Sequence, residues 1–428
     1  GNARFAPSKL VAEKPSFSGI SNGTLSLQDL DADGRRQIVA EKPTPGFWEL
    51  NDDQQWIGFR PFENIPNIDR NSPFCKLLDL NGDGKADMLI TEDRVWTWYE
   101  NLGTKGYVEG GQVPITTDEE KGPVLVLRDS VQSIFLADMT GDGLTDLVRI
   151  TNGAVCYWPN MGYGKFGAKI TMSNAPVFTY PDLYNPAYLS LADITGSGVA
   201  DLVYIGQDST CKVWLNLSGN CWASPKDITP LPSTDPVSKI AIVDFLGNGT
   251  ACLVWSSPLP QHSGAPIRYI DLMGGKKPFL LMSSDNGIGL SRQLHYKSST
   301  YYYTQDKLNG IEWATKLPFP VYCISEVSTY DTVSETLFKQ SYWYRHGYYD
   351  HEEREYRGFG YTEVTDTDTA IVSEASELDQ PPVVTKQWFH TGAWMRELIL
   401  LDQFRHEYYP IDGWDGFVTI ANIPEGLS

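Results

Sequence analysis

The chain contains no run of 18 apolar residues, so no segment of it reads as a bilayer-spanning helix. It contains no CxxC pair either. Its six cysteines (Cys75, Cys156, Cys211, Cys221, Cys252 and Cys323) are scattered along 428 residues, which predicts buried free thiols and not a disulfide framework. The opening residues GNARFAPSKL lack the apolar stretch of a signal peptide. Basic residues are few, 34 against 54 acidic ones, and the formal net charge is −20. Such a surface repels phosphate backbones and anionic lipid, which excludes nucleic acid as an expected partner and argues against direct membrane insertion. A basic partner or bound cations fit it better. Long Ala/Leu/Glu/Lys stretches are also missing, so a helical protein is not expected. HExxH, HxxEH and Walker-type motifs are all absent.

What the chain has is turns and aromatic rings. Thirty-eight glycines, 27 prolines and a 12% aromatic content favour short strands joined tightly. One acidic turn recurs: DLDADGRRQIV from Asp29, DLNGDGKADML from Asp79, DMTGDGLTDLV from Asp138, DITGSGVADLV from Asp193 and DFLGNGTACLV from Asp244. The first aspartates lie 50, 59, 55 and 51 residues apart. Each turn sits between apolar runs and is followed by an aromatic strand, as in FWEL, VWTWYENLG, AVCYWPNMGYG and KVWLNLSG. A unit of this length, read as strand, acidic turn, strand, turn and aromatic strand, suits a propeller blade. One blade cannot bury both faces alone, and stacking blades around an axis does so. The expected fold is therefore all-β: a six-bladed β-propeller over residues 1–300, followed by a β-rich segment over 301–428. The sixth blade would carry a degenerate echo of the turn at Asp285-Asn286-Gly287-Ile288-Gly289. Trp96, Trp98, Trp158 and Trp214 recur at equivalent places and are expected to pack between sheets.

The turns also resemble calcium loops, in which carboxylates at positions one, three, five and nine converge while glycine at six makes the bend. Asp79, Asn81, Asp83 and Asp87 fit best. The first turn offers Asp29, Asp31 and Asp33 but has Gln37 at nine, and the third offers Asp138, Asp142 and Asp146. In the fourth, Ser197 stands at five; in the fifth, Leu246 and Cys252 replace ligands. The competing reading makes the aspartates caps that accept backbone N–H bonds. Calcium is thus an open expectation at these positions, and no cofactor is required by the sequence.

From Ser133 to Met172 the sequence SIFLADMTGDGLTDLVRITNGAVCYWPNMGYGKFGAKITM closely resembles the central segment of the B component of insecticidal Tc toxin complexes. The resemblance continues through LGNGTACLVWSSPLP, YIDLMGGKKPFLL, WATKLPFPVYCISEV, YRHGYYDHEEREYRGFGYTEV and PPVVTKQWFHTGAW, and so covers nearly the whole chain. It implies a non-enzymatic docking and gating module of a secreted bacterial toxin complex. The B component would join a C component in an RHS-type shell around a toxic polypeptide, and its propeller would dock on the pentameric A-component channel. It also implies further B-component segments before and after this one. A calcium-stabilised, integrin-like adhesion or glycan-binding propeller is the alternative reading.

After about residue 300 the acidic turn is lost, but aromatic and β-branched residues persist and predict strands and hairpins that either complete the propeller or begin the RHS-type shell. The segment from Thr365 to Pro382 reads as a polar surface loop, and Met395 to Tyr409 as a helix. His346, Asp350, His351, Glu352, Glu353 and Glu355 crowd into RHGYYDHEEREYRGFG, but their spacing matches no zinc motif and predicts a solvated hairpin turn.

Overall fold

The computed structural model describes residues 15–393, apart from 17, 22–23, 32–34, 52–54, 69–71, 73, 92–94, 124–132, 179–183, 207–209, 230, 232–234, 236, 351–352, 354 and 371–381, together with Glu407. Among the described residues strand is 47% and helix 7%, so the all-β expectation holds. Two compact units divide after Leu280, with Pro318–Pro320 belonging to the first.

In the first unit each acidic turn joins the first two strands of its own small antiparallel sheet. The first sheet comprises Leu25–Gln28, Gln37–Ala40, Gly46–Trp48 and Arg60–Pro61. The second comprises Cys75–Leu78, Asp87–Thr91, Val95–Asn101 and Tyr107–Pro114. Ile134–Ala137, Asp146–Thr151, Ala154–Trp158 and Ile170–Thr171 form the third. The fourth is Leu189–Ala192, Asp201–Ile205, Cys211–Trp214 and Lys226–Ile228. The fifth has three strands, Lys239–Val243, Cys252–Ser256 and Ile267–Asp271. Among the described residues five such sheets are present and no closed barrel or propeller is seen, so six blades are not shown.

Period-two alternation explains how the sheets stack. Along the third sheet, Leu147, Cys156 and Trp158 pack with Leu80, Leu89, Trp96 and Trp98 of the second. Their neighbours Val148, Ile150, Val155 and Tyr157 point the other way and pack with Leu202, Tyr204 and Trp214 of the fourth. Val203 and Ile205 then meet Leu253 and Trp255 of the fifth. Because each second strand is buried on both faces, it reads in sequence as an unbroken apolar run and not as an alternating one. The four tryptophans singled out from sequence are all buried, and Trp158 is 0% exposed. Each such side chain contributes about 1.5–3 kcal/mol on burial.

The second unit is one long antiparallel sheet: Ser283–Asp285, Leu290–Ser298, Tyr322–Asp331, Thr336–Asp350, Glu355–Ala370 and Val383–Trp388. The echo at Asp285–Gly289 is the hairpin turn between its first two strands, not the turn of a further small sheet. A helix, Ser299–Leu308, packs on this sheet through Tyr302, whose ring meets Trp343 edge-on at 5.1 Å. Buried Asp306 anchors the helix, accepting hydrogen bonds from Trp313 Nε1 (2.8 Å), Trp343 Nε1 (3.2 Å) and Arg345 Nε (3.1 Å).

Two local expectations need correction. The polar stretch from Thr365 to Ala370 is strand, paired with Thr336–Ser341, because alternating Thr and Asp fit a pleated ladder and Asp366 Oδ1 accepts from Gln340 Nε2 at 3.0 Å. The RHGYYDHEEREYRGFG segment is a hairpin as expected, yet His346 and Asp350 are buried in it. His346 Nδ1 accepts from the Ala314 N–H at 3.0 Å, so Nε2 carries the proton toward Glu407 Oε1 at 3.0 Å. His351 and Glu352 of that hairpin's turn, residues 371–381 of the loop expected over Thr365–Pro382 and, except for Glu407, the helix expected over Met395–Tyr409 lie outside the described residues.

Candidate functional site

The acidic turns are the feature repeated most faithfully, and their geometry separates two kinds of carboxylate. The position-one aspartate curls over its own turn. Asp79 accepts from the backbone N–H of Gly82 (2.6 Å), Asp83 (3.1 Å) and Gly84 (2.7 Å). Asp138 accepts from Thr140, Gly141 and Gly143, and Asp193 from Gly196, Ser197 and Gly198. Asp244 does the same with Asn248 and Gly249. These are the Asx-type caps of the competing reading. Asn81 Oδ1 accepts from the Asp83 N–H at 2.9 Å, and Asp83 and Asp142 each accept from the N–H two residues on.

The position-nine aspartate faces inward, between strands. Asp87 Oδ2 accepts from the Leu80 N–H (3.1 Å) and Oδ1 from the Asn101 N–H (2.8 Å). Asp146 holds Met139 (2.9 Å) and Asn160 (2.8 Å) in the same way, and Asp201 holds Ile194 (3.1 Å) and Asn216 (2.8 Å). Gln37 Oε1 takes the first of these bonds in the first turn, accepting from Leu30 at 2.9 Å. The departure from carboxylate there therefore keeps the structural bond. Burial pushes the Asp87 carboxyl up to about 7, and Asp146 and Asp201 up to about 6, against the pull of their two backbone donors. Burial also raises Asp79.

Among the described residues no group of three or more His, Cys, Asp or Glu side chains is placed to hold a metal ion. Of the ten positions offered as calcium ligands, Asp33 lies outside the described residues. Asp29 sits half-buried at the head of its turn. Asp31 instead reaches the second sheet, where its Oδ1 accepts from the Thr104 N–H at 3.1 Å. Asp83, Asp138 and Asp142 bond within their own turns, Asn81 also donates through Nδ2 to Glu100 Oε1 at 3.4 Å, and Asp87 and Asp146 accept from backbone donors between strands.

Residues that the turn pattern alone did not single out complete the network. The asparagine ending each aromatic strand, Asn101, Asn160 or Asn216, accepts through Oδ1 from a following glycine N–H at 2.8–2.9 Å. Asn160 Nδ2 donates to the Asp79 carbonyl (3.4 Å), and Asn216 Nδ2 to the Met139 carbonyl (3.1 Å), each in the preceding sheet. Asn216 also donates to the Ala200 carbonyl at 3.2 Å. The recurrence of NLG, NMG and NLSG after aromatic strands is the signal that could have found them. Chemically, this arrangement staples successive sheets together along one edge.

The stapled sheets can be compared with known proteins. A family model for the insecticide toxin TcdB middle/N-terminal region matches residues 216–392, and a model of the FG-GAP-like repeat matches residues 79–149. A search of curated proteins returned no match. The chain is similar to the solved Tc holotoxin pore of Photorhabdus luminescens at 28% identity, over 94% of this chain and 18% of that one, with a TM-score of 0.78. It shares the fold of the TcdB2–TccC3 complex lacking its hypervariable C-terminal region. That likeness is 24% identical over 91% of this chain and 20% of the other, with a TM-score of 0.61. The chain thus spans about a fifth of the length of these solved chains. Repeat, family model and fold converge: what the chain is similar to is the B components of the Tc toxins.

Proposed function

We propose that this chain is the docking and gating module of a secreted Tc toxin B component, and that its five small sheets are consecutive blades of a β-propeller. One face of the ring binds the pentameric A-component channel. The axis is the passage for a toxic polypeptide enclosed with the C component. The reading assigns no reaction to the chain and requires no cofactor. The observation that carries it is the similarity to the Tc holotoxin pore over 94% of the chain. Its support within the molecule is the serial stacking of sheets, each stapled to the one before.

A stable dock should bury over ~1,000 Å². With a net charge of −20 on this chain, association with a basic opposing rim should weaken as salt rises. The test is a biolayer-interferometry titration of this chain against a Tc A-component channel, first with calcium and then with chelator. Binding in both arms, tighter at low salt, is expected. No binding at low salt would overturn the proposal.

A further inference from the structure

The first three seams between sheets are bridged by neutral donors: the Thr104 N–H to Asp31, Asn160 to the Asp79 carbonyl, and Asn216 to the Met139 carbonyl. The seam between the fourth and fifth sheets differs. There the fifth sheet's loop after Asp271 sends Lys277 back across the seam, and its Nζ donates to the Gly196 carbonyl at 2.6 Å. Gly196 lies in the fourth acidic turn with φ +72°, and a Cβ there would collide with both the Gly249 carbonyl and Lys277 Nζ. The fourth and fifth turns therefore abut, with the ammonium between them.

These are also the two turns poorest in ligands, with Ser197 and Asn248 at position five and Cys252 at position nine of the fifth. We infer that Lys277 is a built-in cation that bridges the fourth and fifth acidic turns, standing where a bound ion would otherwise be needed, and that it makes this seam the salt-sensitive one of the series. Burial is the largest influence on the ammonium and holds its pKa below the ordinary lysine value, while Asp193 and Asp244, the position-one carboxylates of the two turns, pull the other way and favour its charge. A neutral amide cannot replace it, because only a cation answers both carboxylates. A guanidinium keeps the charge and can donate to the same carbonyl. The inference is independent of what the chain docks on.

Amide hydrogen exchange on the intact chain tests it. The amides of Gly198 and Gly249 donate to Asp193 Oδ2 (2.8 Å) and Asp244 Oδ2 (2.7 Å) and report on the two turns directly. In Lys277→Gln these amides should exchange about tenfold faster, while Gly84 and Gly143, in the second and third turns, keep their rates. Lys277→Arg should restore most of the protection. In the unmodified chain, raising salt should accelerate exchange at Gly198 and Gly249 ahead of the other turns, an arm that stands even where Lys277→Gln does not fold. Unchanged rates at Gly198 and Gly249, or equal acceleration in all four turns, would overturn the inference.

Discussion

Replacing Asn216 tests the stapling network most sharply. Its side chain is 6% exposed and makes three hydrogen bonds, accepting from the Gly219 N–H (2.8 Å) and donating to the carbonyls of Met139 (3.1 Å) and Ala200 (3.2 Å). One of these crosses from the fourth sheet to the third. Asn216→Ala removes all three bonds, at about 1 kcal/mol each, and strands a buried N–H, so a loss of about 3 kcal/mol is expected. Asn216→Asp has nearly the same shape, but it turns an acceptor oxygen toward two carbonyls and places a charge in the interior. It should cost at least as much, about 3 kcal/mol, despite being isosteric. The two variants then part with pH. Once protonated, the carboxyl introduced by Asn216→Asp can donate to one carbonyl, so its folded pKa is raised. Relative to the unmodified chain, that variant should regain stability as pH falls, whereas the Ala variant should not. Urea unfolding of both variants at pH 7.5 and 5 measures this. A cost of less than about 1 kcal/mol for Asn216→Asp at pH 7.5 would refute the network as described.

Three further outcomes follow from the same geometry. Asp87, Asp146 and Asp201 have folded pKa values of about 7, 6 and 6, above the ordinary value of 3.8, so the folded state binds more protons in between. Their contribution is fully present below pH 3.8 and is lost as pH rises through 6 to 7. Stability to urea should accordingly increase as pH falls from 7.5 to 5, by about 1 kcal/mol or more per group, and a decrease across that window would contradict the burial argument. In the second unit, Asp306→Asn leaves Arg345 and two indole N–H groups sharing one oxygen. A loss of about 2–4 kcal/mol is expected by tryptophan-fluorescence unfolding, and a loss below about 1 would show the anchor to be dispensable. Gly196→Ala should cost about 1 kcal/mol or more beyond Gly198→Ala in thermal unfolding. Both have positive φ, but only at Gly196 would the new methyl meet the neighbouring turn, and equal costs would deny that the two turns abut.

The sequence by itself determined the repeat. An acidic turn followed by an apolar run and an aromatic strand, recurring five times at spacings of 50 to 59 residues, specified all-β units with buried second strands and tryptophans packed between sheets. Local chemistry suffices for that, because capping, turn formation and side-chain alternation each depend on neighbours a few residues away. It did not decide what the aspartates do. In the second, third and fourth turns positions one and nine are both aspartate in a row of letters, and only the folded chain shows that one caps a turn at the edge while the other is buried between strands. Nor could spacing reveal that Asp31, Asn160, Asn216 and Lys277 reach into an adjacent sheet, since partners such as Asn160 and Asp79 are 81 residues apart. The echo at Asp285 had the letters of a blade turn but pairs into a long sheet, because a turn motif fixes a bend and the strands flanking it choose the sheet. Contacts between distant segments form only when the chain packs, and it is packing that brings Asp31, Asn160, Asn216 and Lys277 onto neighbouring sheets.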